Sequence, residues 1–117
     1  MDYRTGGTLP ATYSAEELFA LCPELASIAN ITTKSIMAKA TEDFTPNDWK
    51  TIAKAAADAL NTSDGVVITL GTDTFHYATA ALSFMLPDVP RPVVFTAAQR
   101  SVDRGSSDAF MNLICAV

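Results

Sequence analysis

Thr72 and Asp73 set a hydroxyl and a carboxylate side by side at the end of a short apolar run, Val66-Val67-Ile68-Thr69-Leu70, bounded by Gly65 and Gly71. Such a run has the pattern of a parallel strand buried on both faces, with no room for polar side chains until it ends. It ends in Gly71-Thr72-Asp73-Thr74, and apolar residues resume at helical spacing from Tyr77 through Ala80, Ala81 and Phe84. In open α/β sheets the ligand crevice lies at the carboxyl ends of the strands, so a hydroxyl and a carboxylate placed there face a ligand. The same residue types also serve as a plain turn and helix cap, and spacing by itself leaves both readings open. A nucleotide- or small-ligand-binding module is the reading from another functional class. It is disfavoured, because a phosphate loop needs a Gly-rich turn and this one has a single Gly and an acid that repels phosphate. His76 is the only histidine. It reads as a helix-start or core residue rather than a catalytic one, and no metal site is expected, since no second His or Cys stands at ligand spacing.

The neighbouring segments supply the elements that must hold this turn. Ser14, with Glu17 three residues on, has capping-box spacing and opens a helix whose apolar residues are Leu18, Phe19, Leu21 and Cys22, ended by Pro23. A short turn from Pro23 to Ala29 leads to Ile31–Ala38, where β-branched residues predict a second strand despite Lys34. Thr45-Pro46-Asn47-Asp48 is the clearest helix start. Thr45 stands at the cap, Pro46 at the first helical position and Asp48 at the positive end of the helix dipole. Trp49, Ile52, Ala53, Ala56 and Leu60 form the stripe that lies on a sheet. The helix after the central turn extends to Leu86, a proline-rich turn spans Pro87 to Pro92, Arg91–Thr96 reads as another buried strand, and a last helix begins at Ser107-Asp108. Helices alternating with strands imply crossovers and a parallel sheet covered by helices.

At 117 residues the chain is one domain at most. The 49% hydrophobic content has no run near the ~20 residues of a membrane span, and Met1-Asp2-Tyr3-Arg4 lacks the apolar core of a signal peptide, so a cytoplasmic location without membrane contact is the default. A formal net charge of −5 with scattered Lys and Arg argues against a nucleic-acid surface within the segment. Cys22 and Cys115 lie in apolar helical contexts without CxxC spacing, and both read as reduced core residues. The opening loop, Asp2 to Thr8, carries Tyr3 beside Gly6 and Gly7, a composition suited to a mobile segment.

Several stretches together carry a resemblance. They are Asp2-Tyr3-Arg4-Thr5-Gly6-Gly7, Pro23-Glu24-Leu25 with Ile28-Ala29-Asn30-Ile31, Gly71-Thr72-Asp73-Thr74 with His76-Tyr77, and Ala80-Ala81-Leu82-Ser83-Phe84-Met85-Leu86. Gln99-Arg100-Ser101 with Asp103-Arg104 and Ser106-Ser107-Asp108-Ala109 with Asn112-Leu113-Ile114 complete the set. The Gly-Thr-Asp-Thr box resembles the L-asparaginase superfamily, and the other stretches resemble the asparaginase-type D subunit of archaeal glutamyl-tRNA(Gln) amidotransferases over essentially the whole chain. The fold implied is α/β, a parallel-sheet, Rossmann-like N-terminal domain of the asparaginase type, incomplete at both ends and occupying residues 1–117. The activity implied is glutamine amide hydrolysis that supplies ammonia for converting Glu-tRNA(Gln) to Gln-tRNA(Gln). A free L-asparaginase, converting asparagine to aspartate and ammonia, is the alternative.

The resemblance also implies roles. In the superfamily one Thr attacks the side-chain amide, while a second Thr, an adjacent Asp and a Lys handle protons. Thr72 matches the second Thr and Asp73 its Asp, which also binds the substrate's α-amino group. Tyr3 matches a flexible-loop Tyr that closes near the nucleophile. Thr41 and Glu42 fall where the family places a Ser and a polar or acidic partner around the substrate's α-carboxylate. The attacking Thr is expected upstream of this chain and the Lys beyond Val117, Thr5-Gly6-Gly7-Thr8 being a look-alike of the nucleophile motif. The chain is therefore expected to be an internal fragment that is inactive alone. No cofactor is implied in this polypeptide, ATP and Mg belonging to its amidotransferase partner, the E subunit. A homodimer of the full-length protein, and contact with tRNA through the complex, are implied as well. Departures from the family pattern are Leu70 where a His is common, Ala97 for a Gly and Gly105 for a Pro.

Overall fold

The computed structural model describes residues 13–117, so the expected loop around Tyr3, Gly6 and Gly7 lies outside the described residues. The element order is α1 (Ala15–Leu21), α2 (Leu25–Ile28), a 3-10 turn (Thr41–Asp43), α3 (Pro46–Leu60), β1 (Val66–Thr69), α4 (Phe75–Met85), β2 (Val93–Thr96) and α5 (Ala109–Ala116). Strands β1 and β2 pair in parallel, with Val66 opposite Val93 and Thr69 opposite Thr96. Helix α4 is the crossover between them, as a parallel pair requires. Helix α3 packs on α4 and β1, and α5 lies against β2.

Local chemistry explains the helix starts. Ser14 accepts the Glu17 N–H at 3.1 Å, and the Glu17 carboxylate accepts the Ser14 N–H at 2.8 Å, so two otherwise unpaired donors are satisfied reciprocally. At α3 the Asp48 carboxylate accepts both the N–H and the hydroxyl of Thr45 at 2.7 Å, and it also takes the Lys39 ammonium at 2.7 Å. These contacts, Lys39 foremost, hold the Asp48 carboxyl down at about 2. At the other end of α3 the Arg91 guanidinium donates to the carbonyls of Leu60 and Ser63, which have no partner further along the helix.

The core lies between α3, α4 and one face of the strand pair. Ile52, Ala53 and Leu82 are buried at its centre, and Met37, Phe44, Ile68, Leu70, Leu86 and Phe95 pack around them. The expected α3 stripe is buried at Ile52, Ala53, Ala56 and Leu60, while Trp49 stays half-buried. Tyr77 and Phe84 of α4 and Met111 of α5 face outward, at 63%, 87% and 71% exposure.

Four expectations are corrected. Residues 31–40 form no strand: a strand needs a neighbour for its ladder, and the only sheet among the described residues is the pair β1–β2. This segment is held by side chains instead, the Ser35 hydroxyl accepting the Ala15 N–H at 3.0 Å and donating to Glu16 at 3.1 Å, with Met37 on the core. The strands are half-buried rather than buried on both faces, because helices cover only part of a two-stranded sheet. Cys115 is exposed, near the end of α5, whereas Cys22 is a core residue as expected. The segment from Pro23 to Ala29 contains a one-turn helix, α2, rather than a turn alone.

Candidate active site

Because β1 and β2 run in parallel, the segments that follow them leave the sheet at one edge. After β1 come Leu70 and the turn Gly71–Thr74, and after β2 comes the loop 97–108. The Leu70 N–H still donates to the Thr96 carbonyl at 3.1 Å, so the two chains separate only beyond that point. Thr72 is half-buried and Asp73 exposed on the first turn, and neither enters the core. The Thr72 carbonyl accepts the Phe75 N–H at 3.4 Å, and the Thr74 carbonyl accepts from Tyr77 and Ala78, both at 3.1 Å, as α4 begins. His76, exposed, sits in the first turn of α4 with its ring 4.1 Å from that of Tyr77; it is the helix-start residue expected and not a core one.

The 3-10 turn Thr41–Asp43 joins this edge from the other side of the sequence. Thr41 is 3% exposed, and its Oγ1 accepts the Thr74 N–H at 3.3 Å. Gly71 makes the approach possible, since a Cβ there would lie 3.2 Å from Thr41 Oγ1. Glu42, next in the same turn, is exposed. Four sequence-predicted residues, Thr41, Glu42, Thr72 and Asp73, therefore stand on two segments in direct contact. Tyr3, the fifth, lies outside the described residues.

The loop after β2 is built around Asp108. Its carboxylate accepts the N–H groups of Gln99 at 3.0 Å and Arg100 at 2.9 Å and the Asn112 amide at 3.0 Å. Those bonds, the Gln99 N–H first, hold the Asp108 carboxyl below the usual carboxylate range. Ser107 adds a bond to the Arg100 carbonyl at 2.9 Å, and Asn112 one to the Ala97 carbonyl at 2.9 Å. The roles of Gly71, Thr74, Asp108 and Asn112 do not emerge from local sequence reading. Their one sequence signal is membership of the stretches that carry the resemblance. Two surface clefts, of about 400 and 480 Å³, lie elsewhere, one bordered by Phe19 and residues 26–31, the other by Leu82, Val89, Arg91 and Phe95.

The site edge is thus a parallel α/β edge with a Gly-Thr-Asp-Thr turn seated on a second hydroxyl-bearing segment, and the asparaginase N-terminal domain model matches residues 1–117, so the chain belongs to the asparaginase family. More particularly, it is similar to the D subunit of the glutamyl-tRNA(Gln) amidotransferase of Thermococcus kodakarensis, with 55% identity over 99% of this chain and 26% of the relative. The corresponding protein of Pyrococcus furiosus is 53% identical over 99% of this chain and 26% of the relative. Among solved structures, the thermostable L-asparaginase from Thermococcus kodakarensis superposes with a TM-score of 0.80 at 38% identity, over 91% of this chain and 33% of that one. The chain thus spans about a quarter of the length of the curated relatives it matches. The α/β asparaginase-type fold expected from the sequence is confirmed, and no helix among the described residues is long and apolar enough to cross a membrane.

Proposed function

We propose that this domain forms part of a glutamine-hydrolysing centre whose ammonia serves the conversion of Glu-tRNA(Gln) to Gln-tRNA(Gln). The observation that supports it is the placement of Thr72 and Asp73, polar and outside the core, on the turn at the carboxyl edge of the sheet against Thr41, in a chain similar over nearly its whole length to amidotransferase D subunits. Hydrolysis of a side-chain amide needs a nucleophile, a proton path to the departing ammonia and a group that holds the amino acid. Thr72 takes the proton-handling part and Asp73 the substrate's α-amino group. Glu42 stands at the rim of the same edge. The attacking Thr and the Lys are supplied by segments other than these 117 residues, and Tyr3 closes the site. ATP and Mg are used by the amidotransferase partner, the E subunit, through which tRNA is met in the cytoplasm, and the whole protein pairs with a second copy of itself. Free asparaginase activity is the second reading, favoured by the structural likeness to a thermostable L-asparaginase.

Ammonia release from glutamine and from asparagine tests both. The 117-residue chain alone is expected to be inactive, because groups that act as a unit lose most of their effect when members are missing. The whole protein should be active, and Thr72→Ala or Asp73→Ala in it should lower kcat/KM by about 10³-fold or more. Glutamine turnover coupled to Gln-tRNA(Gln) formation with the amidotransferase partner separates the first reading from the second. Turnover by the 117 residues alone, unaffected by Thr72→Ala, would refute the assignment of the chemistry to Thr72 and Asp73.

A further inference from the structure

Asp108 stands at the N-cap of α5, yet its side chain makes no cap bond to its own helix. An Asp in that place normally accepts an N–H from the first turn of the helix it opens. Here the carboxylate turns to the chain that leaves β2. One oxygen accepts the Arg100 N–H at 2.9 Å, and the other accepts the Gln99 N–H and the Asn112 amide, both at 3.0 Å. The Asn112 amide also donates to the Ala97 carbonyl at 2.9 Å, and the Ser107 hydroxyl to the Arg100 carbonyl at 2.9 Å. Ala97, Gln99 and Arg100 are therefore gripped through backbone atoms by three side chains from the start of α5. That segment neighbours the turn carrying Thr72 and Asp73. The Leu70 N–H donates to the Thr96 carbonyl at 3.1 Å, so the two chains set out from the sheet side by side, about one strand spacing apart.

We propose that Asp108 is a positioning residue for the candidate site. It fixes the course of residues 97–100, the second wall of the edge on which Thr72 and Asp73 stand. Two observations carry this. The carboxylate is not spent on capping α5, so its bonds go to a segment eight and nine residues back along the chain. Its two oxygens also receive the N–H groups of consecutive residues, and such donors converge on one acceptor only where the backbone turns, so the group that receives them sets the turn. The same bonds hold the carboxyl below the usual carboxylate range, which keeps it ionised at neutral pH and makes each contact charge-assisted. The catalytic consequence rests on the amide-hydrolysing reading above, whereas the grip on residues 97–100 does not.

The test uses the whole protein carrying Asp108→Asn, Asn112→Leu or, as a control, Arg91→Met. Two readouts are taken: hydrogen exchange at the Gln99 and Arg100 amides, and kcat/KM for glutamine and for asparagine. Asp108→Asn is nearly isosteric and an equally good N-cap residue, but it has one acceptor oxygen in place of two. That oxygen takes the position shared by the Gln99 and Asn112 donors, which leaves an NH2 group against the Arg100 N–H. Arg100 exchange should therefore speed by about 10-fold or more, since a charge-assisted bond is lost. kcat/KM should fall by about 10-fold or more for both amides, because a displaced wall spoils the orientation on which the reaction depends. Arg91→Met loosens the end of α3 before β1 begins, away from the site edge, and should leave kcat/KM of the folded protein unchanged. Faster Arg100 exchange with unchanged kcat/KM would make Asp108 a structural clamp only and overturn the proposal. Lost activity with unchanged exchange at both amides would show that Asp108 acts by another route and overturn it too, as would an equal loss in Arg91→Met. Should Asp108→Asn fail to fold, Asn112→Leu decides. It removes the donor to Ala97 and Asp108, and it should speed Gln99 exchange and lower kcat/KM together; either change without the other would overturn the assignment. If the parent hydrolyses neither amide, the proposed activity fails, while exchange at Gln99 and Arg100 still decides whether Asp108 sets the course of residues 97–100.

Discussion

Replacing Leu82 by Ala offers the sharpest test of how this domain holds its candidate site. Leu82 is fully buried at 0% exposure, at the centre of the cluster that joins α4 to α3 and, through Ile68 and Leu70, to the strand that ends in the Gly71–Thr74 turn. Truncation removes three carbons, worth about 2.4 kcal/mol at roughly 0.8 kcal/mol per buried methylene, and the unfilled cavity adds to this. The surrounding groups come from α3, α4 and both strands, so collapse around the gap would require two layers to shift together. A loss of about 3 kcal/mol is therefore expected, a large share of the roughly 5–15 kcal/mol available to a small domain. Phe84→Ala is the internal control: on the same helix but 87% exposed, it should cost no more than about 0.5 kcal/mol. The assay is urea unfolding at sub-micromolar chain concentration, followed by the fluorescence of Trp49, the single tryptophan. With a slope of about 1–3 kcal/mol/M, the Leu82→Ala midpoint should fall by about 1–3 M while that of Phe84→Ala stays put. Equal shifts in the two variants would refute the placement of the core.

Two further predictions concern the ends of α3. Asp48 has a carboxyl pKa lowered from 3.8 to about 2 by Lys39 and Thr45, so its contribution is present above pH ~4 and is lost as pH falls toward 2. Thermal melts of Asp48→Asn should accordingly show a flatter pH dependence than the parent across that window, and parallel curves would contradict the assignment. Arg91→Met removes the donor to the Leu60 and Ser63 carbonyls and should destabilise the chain by about 1 kcal/mol, read as a lower urea midpoint, with faster amide exchange confined to the last turn of α3 and the 61–65 turn.

Features made by residues close along the chain were legible before any fold was in hand. The caps at Ser14 and Thr45 rest on partners three residues away, and the apolar stripe of α3 follows from helical period alone. Both strands and the turn between β1 and α4 could be read because an apolar run flanked by Gly, Thr and Asp has few alternatives. The family was legible for a different reason, since its motifs are dispersed over the whole chain and only their combination is specific.

Contacts between distant elements settled what local pattern left open. Residues 31–38 have strand composition, yet composition cannot provide a pairing neighbour, and this segment is tied down by Ser35 and Met37 instead. Cys115 has an apolar helical context, but which side of α5 meets β2 depends on how the helix docks, and the thiol ends outside. The contact of Thr41 with Gly71 and Thr74 spans some thirty residues, as does the reach of Arg91 to the end of α3. Such contacts arise when separate elements settle on a common core, and their geometry depends on packing that no short stretch of sequence encodes.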